Sequence, residues 1–316
     1  MKEVTFLKKN KDKWKNFERE IDQGSDPDRL VDRFIEVTDD LSYAKTFYPG
    51  STTHAYLNSL ASNVHQEIYK NKSERWGRIF HFWKKELPME MFKVRNLIFI
   101  SFFLFSFFTL IGVLSELFDQ RFANIILGDS YINKTVNNIE SGDPMAIYKE
   151  MYEMDMFSMI ALNNLRVSFI VFVMGIFCAV GTFFSIAYHG IMIGSFFTFF
   201  YEHEVLTEAM ETVWIHGTLE IASIIVAGAA GLLMGLSLMT PKTYYRGRSL
   251  MIGAKRGIKV IFGIAPIIVL AAFLEAFVTR HTEMPSWLSL LIIGGSLGFV
   301  IWYLVIYPIY VYRNDS

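Results

Sequence analysis

Apolar residues are distributed unevenly along the chain. In residues 1–93 they occur singly, among charges, at helical spacing; beyond that they merge into runs of bilayer length. Trp14, Phe17 and Ile21 share one helical face, and Leu30, Phe34, Val37 and Leu41 repeat as one side of an amphipathic helix. Asp26-Pro27 reads as a helix start with proline in the first turn. Pro49-Gly50 breaks the chain, and Ser51 or Thr52 can cap a third helix whose stripe is Leu57, Leu60, Val64 and Ile68. Trp76–Leu87 sets Trp76, Phe80 and Trp83 on one side, with Arg75, Arg78, Lys84 and Lys85 nearby. That pattern suits an interfacial helix leading into a membrane, with an elbow at Pro88. Residues 1–93 are therefore expected to form a helical cytoplasmic domain.

A spanning helix needs about 20 apolar residues. The first run is Leu97–Leu117. An outer, polar segment follows over 118–166, broken by Gly128 and Ser141-Gly142-Asp143-Pro144, with short amphipathic helices predicted at Arg121–Leu127 and Pro144–Met154. Val167–Tyr201 contains no Asp, Glu, Lys or Arg, and His189 is its one histidine. It is too long for one span and slightly short for two, so the pattern predicts a tight hairpin turning at Tyr188-His189-Gly190, its second arm short or re-entrant. Val213–Met239, Val260–Val278 and Trp287–Tyr307 complete about six spans, leaving 308–316 as a tail. The expected fold is an all-α, polytopic transmembrane bundle over 94–307. Four full spans with a re-entrant hairpin at 190–212 is the alternative.

Charge orients the bundle. Arg75, Arg78, Lys84, Lys85, Lys93 and Arg95 precede the first span, and Lys242, Arg246, Arg248, Lys255, Arg256 and Lys259 follow the fourth. Glu202, Glu204, Glu208 and Glu211 crowd the loop at 202–212. Basic loops stay in the cytoplasm, so both termini are expected there. The 316 residues are 52% hydrophobic with a net charge of −1, which gives no hint of nucleic acid. The lone Cys178 excludes an internal disulfide and a cysteine metal site. Met1 is followed by a charged, aromatic stretch without an apolar core, so the first span is expected to serve as the insertion signal.

Candidate chemistry gathers near the outer leaflet. Glu220 and Glu275 each lie inside an apolar run, where an unpaired carboxyl costs several kcal/mol. His216 is one turn before Glu220 and on its face. Asn163, Asn164 and Arg166 are expected at the outer start of the second span, and Arg280 and His281 just after Glu275. Arg166 and Arg280 are the natural counter-charges. Three readings stand: a structural pairing that fixes helix register, a ligand, ion or proton site, or water-facing groups without special role. His216-x-x-x-Glu220 is also compatible with two zinc ligands, with His189, His281 or Glu275 as possible third ligands, but no H-E-x-x-H occurs. No nucleophile elbow, P-loop or Rossmann glycine pattern occurs in context either, so no metal or cofactor is assigned. Gly175, Gly181, Gly228, Gly231, Gly235, Gly294, Gly295 and Gly298 read as close-packing positions. The phenylalanines of the first span read as a lipid-facing or packing surface. Asn133-Lys134-Thr135 is a glycosylation sequon, of consequence only in a eukaryotic secretory pathway.

Asn163-Asn164-Leu165-Arg166, Gly175, Gly181-Thr182, His216-Gly217-Thr218-Leu219-Glu220 and Leu274-Glu275-Ala276-Phe277-Val278-Thr279 together resemble the stage II sporulation protein M family of bacterial membrane proteins. Leu41–Pro49 resembles the longer form of non-sporulating bacteria, notably Bacteroidota. The resemblance implies a polytopic protein of the cytoplasmic membrane without established enzymatic activity. In spore formers such a protein works with peptidoglycan-degrading partners, and the large N-terminal domain here argues against carrying over that partner list. The leading expectation is a non-catalytic scaffold in envelope biogenesis or remodelling, in contact with lipids, other envelope proteins and a second copy of itself. The alternatives are a transporter or channel-like protein with an outer ion, proton or head-group site, and an intramembrane metallohydrolase.

Overall fold

The computed structural model describes residues 2–22, 27–69, 76–149, 151–281 and 284–315. Expectations that rest on Asp26 and Arg75, and on the side chains of Ile21, Leu30, Ile68 and Trp76, lie outside the described residues. Every regular element among those residues is helical. The chain divides into two compact units, Met1–Arg78 and Ile79–Ser316.

The first unit is three helices, α1 (Glu3–Asp22), α2 (Pro27–Phe47) and α3 (Thr52–Tyr69). Their apolar stripes close on one core of Phe6, Trp14, Phe17, Val37, Ala44, Leu57, Leu60 and Val64. Trp14 buries its ring and donates its indole N–H to Asp40 at 2.8 Å, which satisfies the one polar atom it brings inside. Ser51 caps α3, its hydroxyl accepting from the His54 N–H at 3.1 Å.

The second unit holds six helices long and apolar enough to cross a membrane: span one, Gly77–Phe118; span two, Glu153–Ile176; span three, Val180–Glu202; span four, Leu206–Met239; span five, Arg246–Thr279; span six, Ser286–Asn314. Span four is the hub and packs against each of the others. The main core joins Leu87, Val171, Leu219, Val226, Ile264 and Ile268. Close approach is set by glycine at the crossing of spans two and four: a Cβ on Gly175 would stand 2.1 Å from the Gly231 carbonyl oxygen. By contrast, Gly294, Gly295 and Gly298 meet nothing within 4 Å, so the expected packing role is not found on span six. Phe99, Phe102, Phe103 and Phe107 are exposed on span one, whereas Phe105 is buried.

Two expectations change here. The hairpin does not turn at Tyr188-His189-Gly190, which lie inside span three; it turns at Cys178-Ala179, both in the left-handed region with φ of 52° and 65°. Span two begins at Glu153, so the outer segment is shorter than the polar pattern predicts, and span three is full length. Asn163, Asn164 and Arg166 therefore lie within the helix rather than before it. Span one also runs through Pro88 as continuous helix. A π turn over Phe82–Glu86 precedes the proline, with the Leu87 N–H reaching back five residues to the Phe82 oxygen. Proline supplies no N–H of its own, so carbonyls one turn earlier lack a donor. The hydroxyls of Tyr303 and Tyr307 fill the gap, donating to the carbonyls of Trp83 and Lys84, each at 2.9 Å. Span six repeats the device: a π turn over Trp302–Ile306 precedes Tyr307-Pro308.

Between spans one and two lies a small helical lobe. It comprises α4 (Phe122–Leu127), α5 (Asp129–Glu140) and a 3-10 turn over Ala146–Lys149. Ala123, Ile132 and Met145 pack there on Phe199, Phe200, Ala209 and Val213 at the facing ends of spans three and four.

Candidate functional site

Span four presents His216 and Glu220 one turn apart on one face. Span five ends in a π turn, Leu274–Thr279, that carries both Glu275 and Thr279. π turns inside helices recur at functional sites. The effect here is to bring one donor atom from each of His216, Glu220 and Glu275 within 4.8 Å of one another. His216 Nε2 faces Glu275 Oε2 at 3.9 Å. His216 Nδ1 lies 3.0 Å from Thr279 Oγ1, whose proton goes to the Leu274 carbonyl at 3.2 Å. With its proton committed, the hydroxyl accepts from Nδ1–H, and the tautomer leaves the Nε2 lone pair facing the carboxyls. His216 and Thr279 are buried at 4% and 1% exposure.

The lobe between spans one and two roofs this cluster. Tyr148, in the Ala146–Lys149 turn, stands edge-on to the His216 ring with centroids 5.8 Å apart. Burial, with Glu275 adding to it, pushes the Tyr148 phenol well above its ordinary value of 10, so it stays a neutral O–H. Burial likewise raises Tyr131 to about 12, with Glu275 adding to it. Beside the roof is a cavity of about 210 Å³, lined among others by Asp143, Glu208, Glu211, Thr279 and His281.

The remaining candidates lie elsewhere. Arg280 pairs with Glu153 at 3.3 Å, where span five ends and span two begins. His281 is exposed at the cavity wall. Asn163, Asn164 and Arg166 sit in the middle of span two rather than at its outer start; Asn163 and Arg166 are exposed, and Asn163 Nδ2 donates to Asn164 Oδ1 at 3.4 Å. Among the described residues no arginine or lysine comes within ion-pair distance of Glu220 or Glu275, so the expected counter-charges do not serve them. The reason is the earlier start of span two, which carries Arg166 into mid-helix and sets Glu153 opposite Arg280.

Sequence patterning also misses Thr279 and Tyr148, which complete the cluster, and Glu116. The last is fully buried in span one, accepting a hydrogen bond from Ser195 at 2.8 Å. Glu116 stands one residue before the end of its apolar run, where an interfacial position is the plain expectation. Tyr148 belongs to a polar stretch without helical period. Only the chain reversal in three dimensions places it over His216.

Comparison with known proteins fits this architecture. Residues 97–280 match the family model for Stage II sporulation protein M, and residues 4–70 match one described as a domain of unknown function (DUF8413). No curated protein and no solved structure matches the chain. The first match covers more than half of the sequence and contains His216, Glu220 and the Leu274–Thr279 turn, so this six-span helical protein belongs to the stage II sporulation protein M family.

Proposed function

We propose that the protein is a non-catalytic platform of the bacterial cytoplasmic membrane, serving envelope biogenesis or remodelling. The observation that carries this reading is the separate N-terminal unit. It closes its own core of three helices apart from the bundle and is matched as a domain in its own right. A membrane bundle needs no such unit to stay folded, so its use is to meet something on that side. The outer lobe over spans three and four offers a second folded surface on the other.

Charge supports the sidedness. Arg256 pairs with Glu90 at 2.8 Å and Lys259 with Glu86 at 3.2 Å. The basic starts of spans one and five thus share one end of the bundle, which belongs in the cytoplasm by the bias of basic loops. Both termini then lie inside, and the lobe faces outward. The partners are other envelope proteins, membrane lipids and a second copy of the chain.

Affinity purification from native membranes in mild detergent tests this. The full chain should bring down stoichiometric envelope proteins, and a chain lacking residues 1–70 should lose part of that set. A full chain that purifies alone contradicts the platform reading.

A further inference from the structure

We infer that His216, Glu220 and Glu275 bind one divalent transition-metal ion of the zinc class, loaded from the outer face. The site rests on how the three side chains meet; only the outer direction of loading rests on the sidedness proposed above.

Nε2 of His216 belongs to a side chain only 5% exposed, makes no hydrogen bond among the described residues, and aims its lone pair at Glu275 Oε2 across 3.9 Å. A lone pair facing a carboxylate across that distance is relieved by a shared proton or by a cation lying between. No arginine or lysine supplies the cation: Arg280 is engaged with Glu153, and no lysine or arginine among the described residues reaches either glutamate, which leaves room for a metal ion among the three donors. The donors already lie within 4.8 Å of one another. Metal–ligand bonds of about 2.0–2.2 Å require them to close in by roughly an ångström. The glutamate side chains have the torsional freedom to do so.

The surroundings suit a metal. The Thr279 hydroxyl holds the second ring nitrogen of His216, the outer contact that fixes tautomer and direction in ligating histidines. One imidazole with two carboxylates favours zinc and its transition neighbours over calcium or magnesium, which take oxygen ligands alone. Three protein ligands leave a fourth position for water. The 210 Å³ cavity comes as close as Thr279, which touches His216, and its wall carries Glu208 and Glu211, acidic groups that draw cations toward the site.

The test uses the full chain in mild detergent, stripped with chelator, incubated with Zn²⁺, desalted and assayed by elemental analysis. About one zinc per chain is expected for wild type, set by the single three-ligand site. E153Q, which breaks only the pair with Arg280, should bind as wild type does. H216Q, E220Q and E275Q should each retain at least tenfold less. Zinc should also raise the melting temperature of wild type and leave that of E220Q unchanged. Should a triad variant not fold, Co²⁺ bound to the unmutated protein decides: intense visible bands of a four- or five-coordinate ion are expected. The weak spectrum of hydrated cobalt overturns the site. So does a wild type without stoichiometric zinc, or zinc retained equally by all three variants.

Discussion

Two kinds of buried carboxyl occupy this bundle, and their neighbours separate them. Glu116 is fully buried with Ser195 donating to it, an arrangement that ties span one to span three. Glu116→Ala leaves the serine hydroxyl unpaired beside a small void and should cost about 1–3 kcal/mol, read as a lower melting temperature in detergent. Glu116→Gln keeps an acceptor for Ser195 and should recover much of that loss. Thr279→Val behaves differently. It keeps the volume near the site and removes the acceptor for His216 Nδ1, so zinc affinity should fall by about 10–100-fold, measured by competition with a chelating dye; unchanged affinity would deny Thr279 a positioning role. The pairing of His216 with Glu220 was legible from helical spacing, and Glu275 from its apolar surroundings. Thr279 was not, because the π turn that swings it onto His216 adds a residue per turn without any sequence mark. Asn163, Asn164 and Arg166 were grouped with the site only because polar residues read as the end of a span.

The elements show how proline and glycine are accommodated inside long helices. Tyr303 and Tyr307 donate to the Trp83 and Lys84 carbonyls, one turn before Pro88. Tyr303→Phe and Tyr307→Phe should each cost about 0.5–1.5 kcal/mol, whereas Phe substitutions at tyrosines exposed outside this contact, such as Tyr245, should be silent in the same melting assay. Gly231 and Gly298 give a second contrast. A Cβ on Gly231 would lie 2.3 Å from Thr182 Oγ1, and one on Gly298 meets nothing within 4 Å. Gly231→Val should therefore lower the yield of folded, monodisperse protein, and Gly298→Val should leave stability within about 0.5 kcal/mol. Spans one, four, five and six were readable as apolar runs. The turn between spans two and three was not, since Cys178-Ala179 reverses the chain without glycine or proline at the left-handed positions, and Tyr188-His189-Gly190 resembled a turn more closely.

At the scale of the molecule, the chain joins a three-helix unit with its own core to a six-span bundle with a roofed polar cluster. The periodicity of Trp14, Phe17, Val37, Leu57 and Val64 made the first unit visible in the sequence, because a small soluble core writes its stripe plainly on each helix. Residues 1–78 alone should give a soluble, helical, cooperatively melting fragment by circular dichroism; a random-coil spectrum would remove the proposed docking surface. For the bundle the apolar runs mark helices long and apolar enough to cross a membrane but say less about which faces meet, since lipid and protein neighbours are both apolar. The account as a whole depends on sidedness: a basic end inside, and an outer lobe and acidic cavity wall outside. Cysteine accessibility in intact cells measures this most directly. On a Cys178→Ser background, Glu208→Cys should react with an impermeant maleimide from outside, and Lys255→Cys only after permeabilisation. Labelling of Lys255→Cys in intact cells, with Glu208→Cys protected, would contradict the account.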